Sequence, residues 1–211
     1  NKKEFVKTVL PIIINENQNI LMIRSFVNEL KGKLETFRTL NNNEIRKLND
    51  IAKKYNIKYQ NKHKLDLVDE ILSNVDVIPN SIVLAQAAIE SGWGKSRFAK
   101  EYNALFGEYT YDDSEGVIPL ERENGDTHLI KAFSSYSNSV ESYFDNINSH
   151  YAYEDFRDIR NVMRKRNNFS NVNLLVNKLS TYAEDENYIK TIKQVIKSNN
   201  FSIFDQKIIS Y

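Results

Sequence analysis

The chain contains no cysteine, so thiolate catalysis, disulfide frameworks and cysteine-ligated zinc are excluded. At 211 residues it is long enough to bury a real core without cross-links. Histidine is nearly as scarce: His63, His128 and His150 are scattered with no short ligand spacing, which argues against a zinc site. Neither charge sign is in excess, because 29 Lys and Arg offset 28 Asp and Glu in an interleaved pattern. A general nucleic-acid surface is therefore not expected. No apolar run approaches the roughly 18 residues of a membrane-spanning helix, the longest cluster being Val9 to Ile14. The chain opens on Asn1 rather than methionine, which leads us to expect an upstream segment such as a signal peptide or anchor.

Only six glycines and three prolines occur, and Gly92, Gly94, Gly107, Gly116 and Gly125 fall together, which marks residues 92–125 as the irregular part of the molecule. Before it, apolar residues at helical spacing run from Leu21 to Leu34, from Ile45 to Tyr55 and from Leu65 to Leu72, with Asn41-Asn42-Asn43 as a helix start and Ile12-Ile13-Ile14 as a core segment. After it, Asn138-Ser139-Val140-Glu141 resembles a capping box ahead of Tyr143, Phe144, Ile147 and Tyr151. Leu174, Leu175, Leu179 and Tyr182 suggest a short helix, and Asp185 can cap a last one through Tyr188, Ile192 and Ile196. The exception to the helical pattern is residues 116–133, where two runs flank Asn124-Gly125, a strong hairpin signal. A two-residue turn there sets Glu123 opposite Asp126 and Glu121 opposite His128, puts Glu121 and Glu123 on one face, and confines the Pro119 strand to an edge.

The run Ile82 to Ile89 has almost no polar surface, yet it ends on Glu90. Pro79-Asn80-Ser81 supplies a helix start and Gly92 a stop, so Glu90 sits in the last turn. Desolvation and the negative end of the helix dipole both disfavour its anion. A carboxylic acid that stays protonated near neutral pH is what a glycosidase needs to protonate a departing sugar oxygen. Gln86, one turn earlier, can hydrogen-bond that carboxyl or a sugar hydroxyl, and Trp93, between two glycines, can offer its ring to a sugar. The alternatives are a Glu90 ion pair with Lys95 or Arg97 and a Trp93 packed in the core.

The string "AQAAIESGWGKSRFAKEYNALFG" resembles the glucosaminidase family of bacterial peptidoglycan hydrolases, and in particular its Bax-type branch. The likeness continues through "FVKTVLPIIINENQNI", "SVESYFDNINSHYAYEDFRDIR" and "LSTYAEDENYIKTI". It implies a mainly α, lysozyme-like catalytic domain over residues 79–211 with a small β-hairpin lobe at about 108–133, preceded by a helical extension over residues 1–78. That extension is expected to pack on the catalytic part, with contact to an envelope protein as the alternative. The resemblance places the catalytic acid at Glu90 and a second acid at Glu121, with Glu123 as its competitor.

The family's tyrosine motif, Y-A-T-D-P-x-Y, reads here Tyr182-Ala183-Glu184-Asp185-Glu186-Asn187-Tyr188, keeping both tyrosines but replacing threonine and proline by glutamates. Tyr182 is the first choice to stabilise developing positive charge or orient an acetamido group, with Tyr188 binding substrate. Phe106 either underlies the cleft or touches sugar, and Asn103 is either a substrate donor or a helix C-cap. The implied activity is endo-β-N-acetylglucosaminidase hydrolysis of peptidoglycan glycan strands, without a cofactor or metal, at an extracytoplasmic cell-envelope location. A lytic transglycosylase, a non-hydrolytic wall-binding scaffold and an N-glycan endoglucosaminidase are the rival readings.

Overall fold

A computed structural model describes residues 1–119, 128–169, 171–183 and 186–207. Its α-helices are α1 (Lys2–Glu35), α2 (Asn42–Lys54), α3 (Lys64–Asn74), α4 (Asn80–Glu90), α5 (Arg97–Tyr102), α6 (Tyr136–Ser149), α7 (Glu154–Lys165), α8 (Val172–Val176) and α9 (Tyr188–Ser198). Among the described residues three short strands, β1 (Tyr109–Thr110), β2 (Gly116–Val117) and β3 (Leu129–Lys131), form an antiparallel sheet in the order β1-β3-β2. The mainly helical body with a small β-lobe is the architecture expected from the sequence.

α4 is the centre of the core. From Asn80 to Ala88 every residue is buried, which is what a helix apolar all round requires. α1, α9 and the 3-10 segment Phe201–Lys207 pack on it. α1 runs unbroken through Pro11, which lies on its exposed side, where the Lys7 carbonyl that loses its donor can bond water. Ile13 is fully buried between the half-buried Ile12 and Ile14. The Asn41 start holds as a reciprocal capping box with Glu44.

The first turn of α4 is capped from the far end of the chain. Asp205 accepts from Ser81 N at 2.8 Å and from Ser81 Oγ at 2.6 Å, and Asn80 Nδ2 donates to the Phe204 carbonyl. The segment entering α4 is held by Asp76, which is fully buried among three arginines. Arg164 makes a two-pronged contact at 2.6 and 2.9 Å, Arg24 approaches to 3.3 Å, and Arg160 binds the Asp76 and Asn74 carbonyls. Burial opposes ionisation of Asp76, but the Arg164 hydrogen bonds and the three guanidinium charges outweigh it and hold the carboxyl below its usual range.

Four local expectations are corrected. α6 begins at Tyr136, with Ser135 accepting from Asn138 N. Asn138-Ser139-Val140-Glu141 is not its cap, because the Ser139 hydroxyl is buried and accepts from Leu105 N. The Leu174–Tyr182 stretch is split into α8 and a 3-10 turn at Ser180–Tyr182. α9 starts at Tyr188 after Asn187, and Asp185 lies outside the described residues. In the sheet, Gly116 pairs with Lys131 and Val117 with Ile130, two residues away from the register that an Asn124-Gly125 two-residue turn implies. The pairing depends on glycine, since a Cβ at Gly116 would meet Leu129 and Thr110 at 2.5 and 2.6 Å. β2 is an edge strand, as Pro119 demands. The turn itself, with Glu121 and Glu123, lies outside the described residues.

Candidate active site

The sequence Glu90-Ser91-Gly92-Trp93-Gly94 ends α4 by geometry as well as composition. Gly92 N donates to the Ile89 carbonyl and Trp93 N to the Ala88 carbonyl, the paired bonds of a Schellman cap. Gly92, Trp93 and Gly94 all adopt left-handed backbone, with φ of 56°, 60° and 71°. For tryptophan that conformation costs about 1 kcal/mol, and its ring packing offsets the strain. The indole lies between Phe5, 5.8 Å away edge-on, and Phe201 at 6.2 Å, with Lys2 Nζ 4.4 Å above it. The stop thereby clips α1 and the C-terminal segment together and leaves Glu90 as the last helical residue.

Glu90 is half-buried and its surroundings are organised by tyrosines. Tyr188, from α9, donates to Glu90 Oε1 at 2.7 Å. Behind it, Gln86 Nε2 donates to the Tyr188 hydroxyl at 3.0 Å, and Gln86 Oε1 accepts from Tyr143 at 2.5 Å. Every donor in this chain points toward the carboxyl, so Gln86 acts on Glu90 only through Tyr188. Burial pushes the Glu90 carboxyl up and the Tyr188 bond pulls it down, with burial prevailing. Among the described residues neither Lys95 nor Arg97 pairs with it; Arg97 donates instead to the Ile118 carbonyl. Removing the Tyr188 hydroxyl (Tyr188→Phe) deletes the interaction that favours the anion. It is expected to raise the Glu90 pKa further and to shift the alkaline limb of a kcat/KM–pH profile to higher pH.

Glu90 opens into a cavity of about 540 Å³. One wall is the connection into the β-lobe, Phe106-Gly107-Glu108-Tyr109; the other is Asn146 with Tyr153 and Thr181-Tyr182-Ala183. Gly107, at φ +62°, lies so close that a Cβ there would touch Glu90 Oε2 at 3.5 Å. Phe106 stacks on Tyr143 with ring centroids 4.2 Å apart. The Tyr182 hydroxyl donates to the Phe106 carbonyl at 3.0 Å, and its ring stacks parallel to Tyr188 at 5.8 Å. Tyr109 is 64% exposed, and its ring lies tilted against His128 with centroids 4.3 Å apart.

The structure thus brings Glu90, Gln86, Phe106, Tyr182 and Tyr188 together. It does not bring in Trp93, whose ring is committed to Phe5 and Phe201, or Asn103, which is the left-handed C-cap of α5 and donates to the Phe133 carbonyl at 2.9 Å. Sequence reasoning missed Glu108, Tyr109, Tyr143 and Tyr153. Glu108 and Tyr109 follow the Phe106-Gly107 pair directly, a readable signal, whereas Tyr143 sits in an apolar stripe that reads as core. The groups able to act chemically here are carboxyls and tyrosine hydroxyls, and among the described residues no group of three acidic or histidine side chains is disposed to hold a metal.

Known proteins share this chain's pattern. The Bax protein of Escherichia coli K12 is 33% identical over 184 residues, covering 86% of this chain and 63% of its own length. The peptidoglycan hydrolase FlgJ of Escherichia coli is 35% identical over 92 residues, covering 39% of this chain and 29% of its own length. The catalytic domain of the Listeria monocytogenes autolysin Auto aligns over 90% of this chain and 97% of that one, at 18% identity and a TM-score of 0.47. The glucosaminidase family, described as mannosyl-glycoprotein endo-beta-N-acetylglucosaminidase, matches residues 65–201, which include Glu90, the Phe106–Tyr109 wall and both tyrosines. The chain belongs to the glucosaminidase family.

Proposed function

We propose that the chain is a peptidoglycan hydrolase of the cell envelope, an endo-β-N-acetylglucosaminidase that cleaves the bond following N-acetylglucosamine in glycan strands, with Glu90 as general acid. The observation that carries this reading is a carboxyl kept above its usual pKa by burial, with no cationic partner among the described residues, at the end of an open cleft. Tyr188 occupies Oε1, so the transferable proton resides on Oε2, beside Gly107. When the proton leaves, the Tyr188 hydrogen bond stabilises the carboxylate that forms, which places its effect in the transition state. Tyr182 shapes the cleft with its ring and holds Phe106 in place. The kinship with FlgJ supports peptidoglycan as the substrate, and the cavity lies in the range of small-molecule sites.

The aromatic platform first expected at Trp93 is assigned to Tyr109, an exposed side chain that lines the cleft. Tyr109→Ala is expected to raise KM roughly five- to twentyfold, about 1–2 kcal/mol of lost ring contact, with kcat little changed. Tyr109→Trp restores it; steady-state kinetics on solubilised glycan strands checks both. The function itself is tested by incubating the protein with purified sacculi: release of soluble fragments supports hydrolysis, and co-sedimentation without release overturns it in favour of a wall-binding scaffold.

A further inference from the structure

Glu108 stands at the seam between the helical body and the β-lobe. Its carbonyl accepts from Lys131 N at 2.8 Å, joining β3, while its side chain reaches α6, where Ser142 Oγ donates to Oε2 at 2.9 Å. Lys131 Nζ in turn donates to Ser142 Oγ at 3.4 Å and lies 3.8 Å from Glu115. The other carboxyl oxygen, Oε1, is buried without a hydrogen-bond partner among the described residues. A neutral carboxyl tolerates that position far better than an anion does.

We propose that Glu108 is a positioning residue: its carboxyl latches the β-lobe onto α6 through Ser142 and so sets the width of the cleft in front of Glu90. The proposal rests on the hydrolase reading only for its consequence in catalysis. Burial raises the Glu108 pKa to about 7, against the Ser142 hydrogen bond and the Lys131 charge, and Asp145 on α6 pushes it the same way as burial. Asp145 is itself raised to about 6 and faces Lys54 of α2. Among the described residues the hydroxyls of Tyr143, Tyr153 and Tyr182 are further ionisable neighbours, and all stay neutral here. Below pH 7 the carboxyl is neutral and docked; above it, a buried anion with a bare oxygen beside Asp145 favours undocking.

The test is a pH titration of the backbone amide resonances of Tyr109, Thr110 and Leu129–Lys131, with KM at pH 6 and pH 8, in the wild type and Glu108→Gln. Glutamine keeps an acceptor for Ser142 and cannot ionise. At pH 8 about a tenth of a group with pKa about 7 is neutral, so the wild-type KM is expected to rise about tenfold between the two pH values. The lobe resonances should titrate near pH 7, and both effects should vanish in Glu108→Gln. A lobe that titrates identically in both proteins, or an active wild type with the same KM at both pH values, overturns the latch. A wild type inactive at both pH values overturns the hydrolase reading instead, and the lobe titration still decides the latch.

Discussion

Replacing Glu90 by glutamine is expected to lower kcat on peptidoglycan by about 10²- to 10⁴-fold, the usual loss when a positioned general acid is removed. Glutamine fills the same volume and its side-chain oxygen still accepts from Tyr188, so the chain Tyr143–Gln86–Tyr188 stays in place. What disappears is the proton on Oε2. KM should change little, because Phe106, Tyr109 and Tyr182 shape the cleft independently of that proton. Glu121→Gln provides the contrast. If the substrate's own acetamido oxygen is the nucleophile of the second step, one essential carboxyl suffices, and the Glu121 variant is weakened rather than inactive. Turnover of solubilised strands by the two purified variants separates these cases, and wild-type activity in Glu90→Gln would remove the proposed acid from the mechanism.

Asp76→Ala is expected to be the most destabilising single change, at about 3–5 kcal/mol, because it leaves Arg24, Arg160 and Arg164 around a cavity with no counter-charge. Arg160 is wholly buried and Arg24 nearly so, which keeps solvent from screening the repulsion. For a chain of this size that corresponds to a fall in Tm of about 6–20 °C, measurable by thermal unfolding. The pH dependence has a definite sign. A carboxyl whose folded pKa is lowered contributes stability above its unfolded pKa, near 4, and loses it as pH falls through the folded value. The wild type should therefore weaken in that acid range more steeply than the variant. Catalysis should suffer as well, since Asp76 fixes the turn that enters α4.

How much of this was legible in the sequence depended on whether the determinants were local. The Asn41 cap, the uniformly apolar α4, its stop at Gly92 and the position of Glu90 in the last turn all follow from neighbours within a few residues, and each is found in the structure. The choice between platform and core for Trp93 was not legible locally, because its ring partners, Phe5 and Phe201, lie about a hundred residues away on either side. Gln86 was placed on the right face, but the hydroxyl that separates it from Glu90 comes from Tyr188 in α9. The sheet register departed from the turn-based expectation because Gly116 is set by the side chains of Thr110 and Leu129, packing that no turn motif encodes. The burial of Glu108 depends on Ser142, which α6 supplies from 34 residues along the chain.

The rival enzymatic reading, a lytic transglycosylase, also uses a single glutamate, so the loss of activity in Glu90→Gln does not distinguish it. The products do. Digestion of purified peptidoglycan followed by mass spectrometry of the released fragments tests the central claim most directly. Fragments ending in reducing N-acetylglucosamine are the expected result, and anhydro-muramic ends would contradict it.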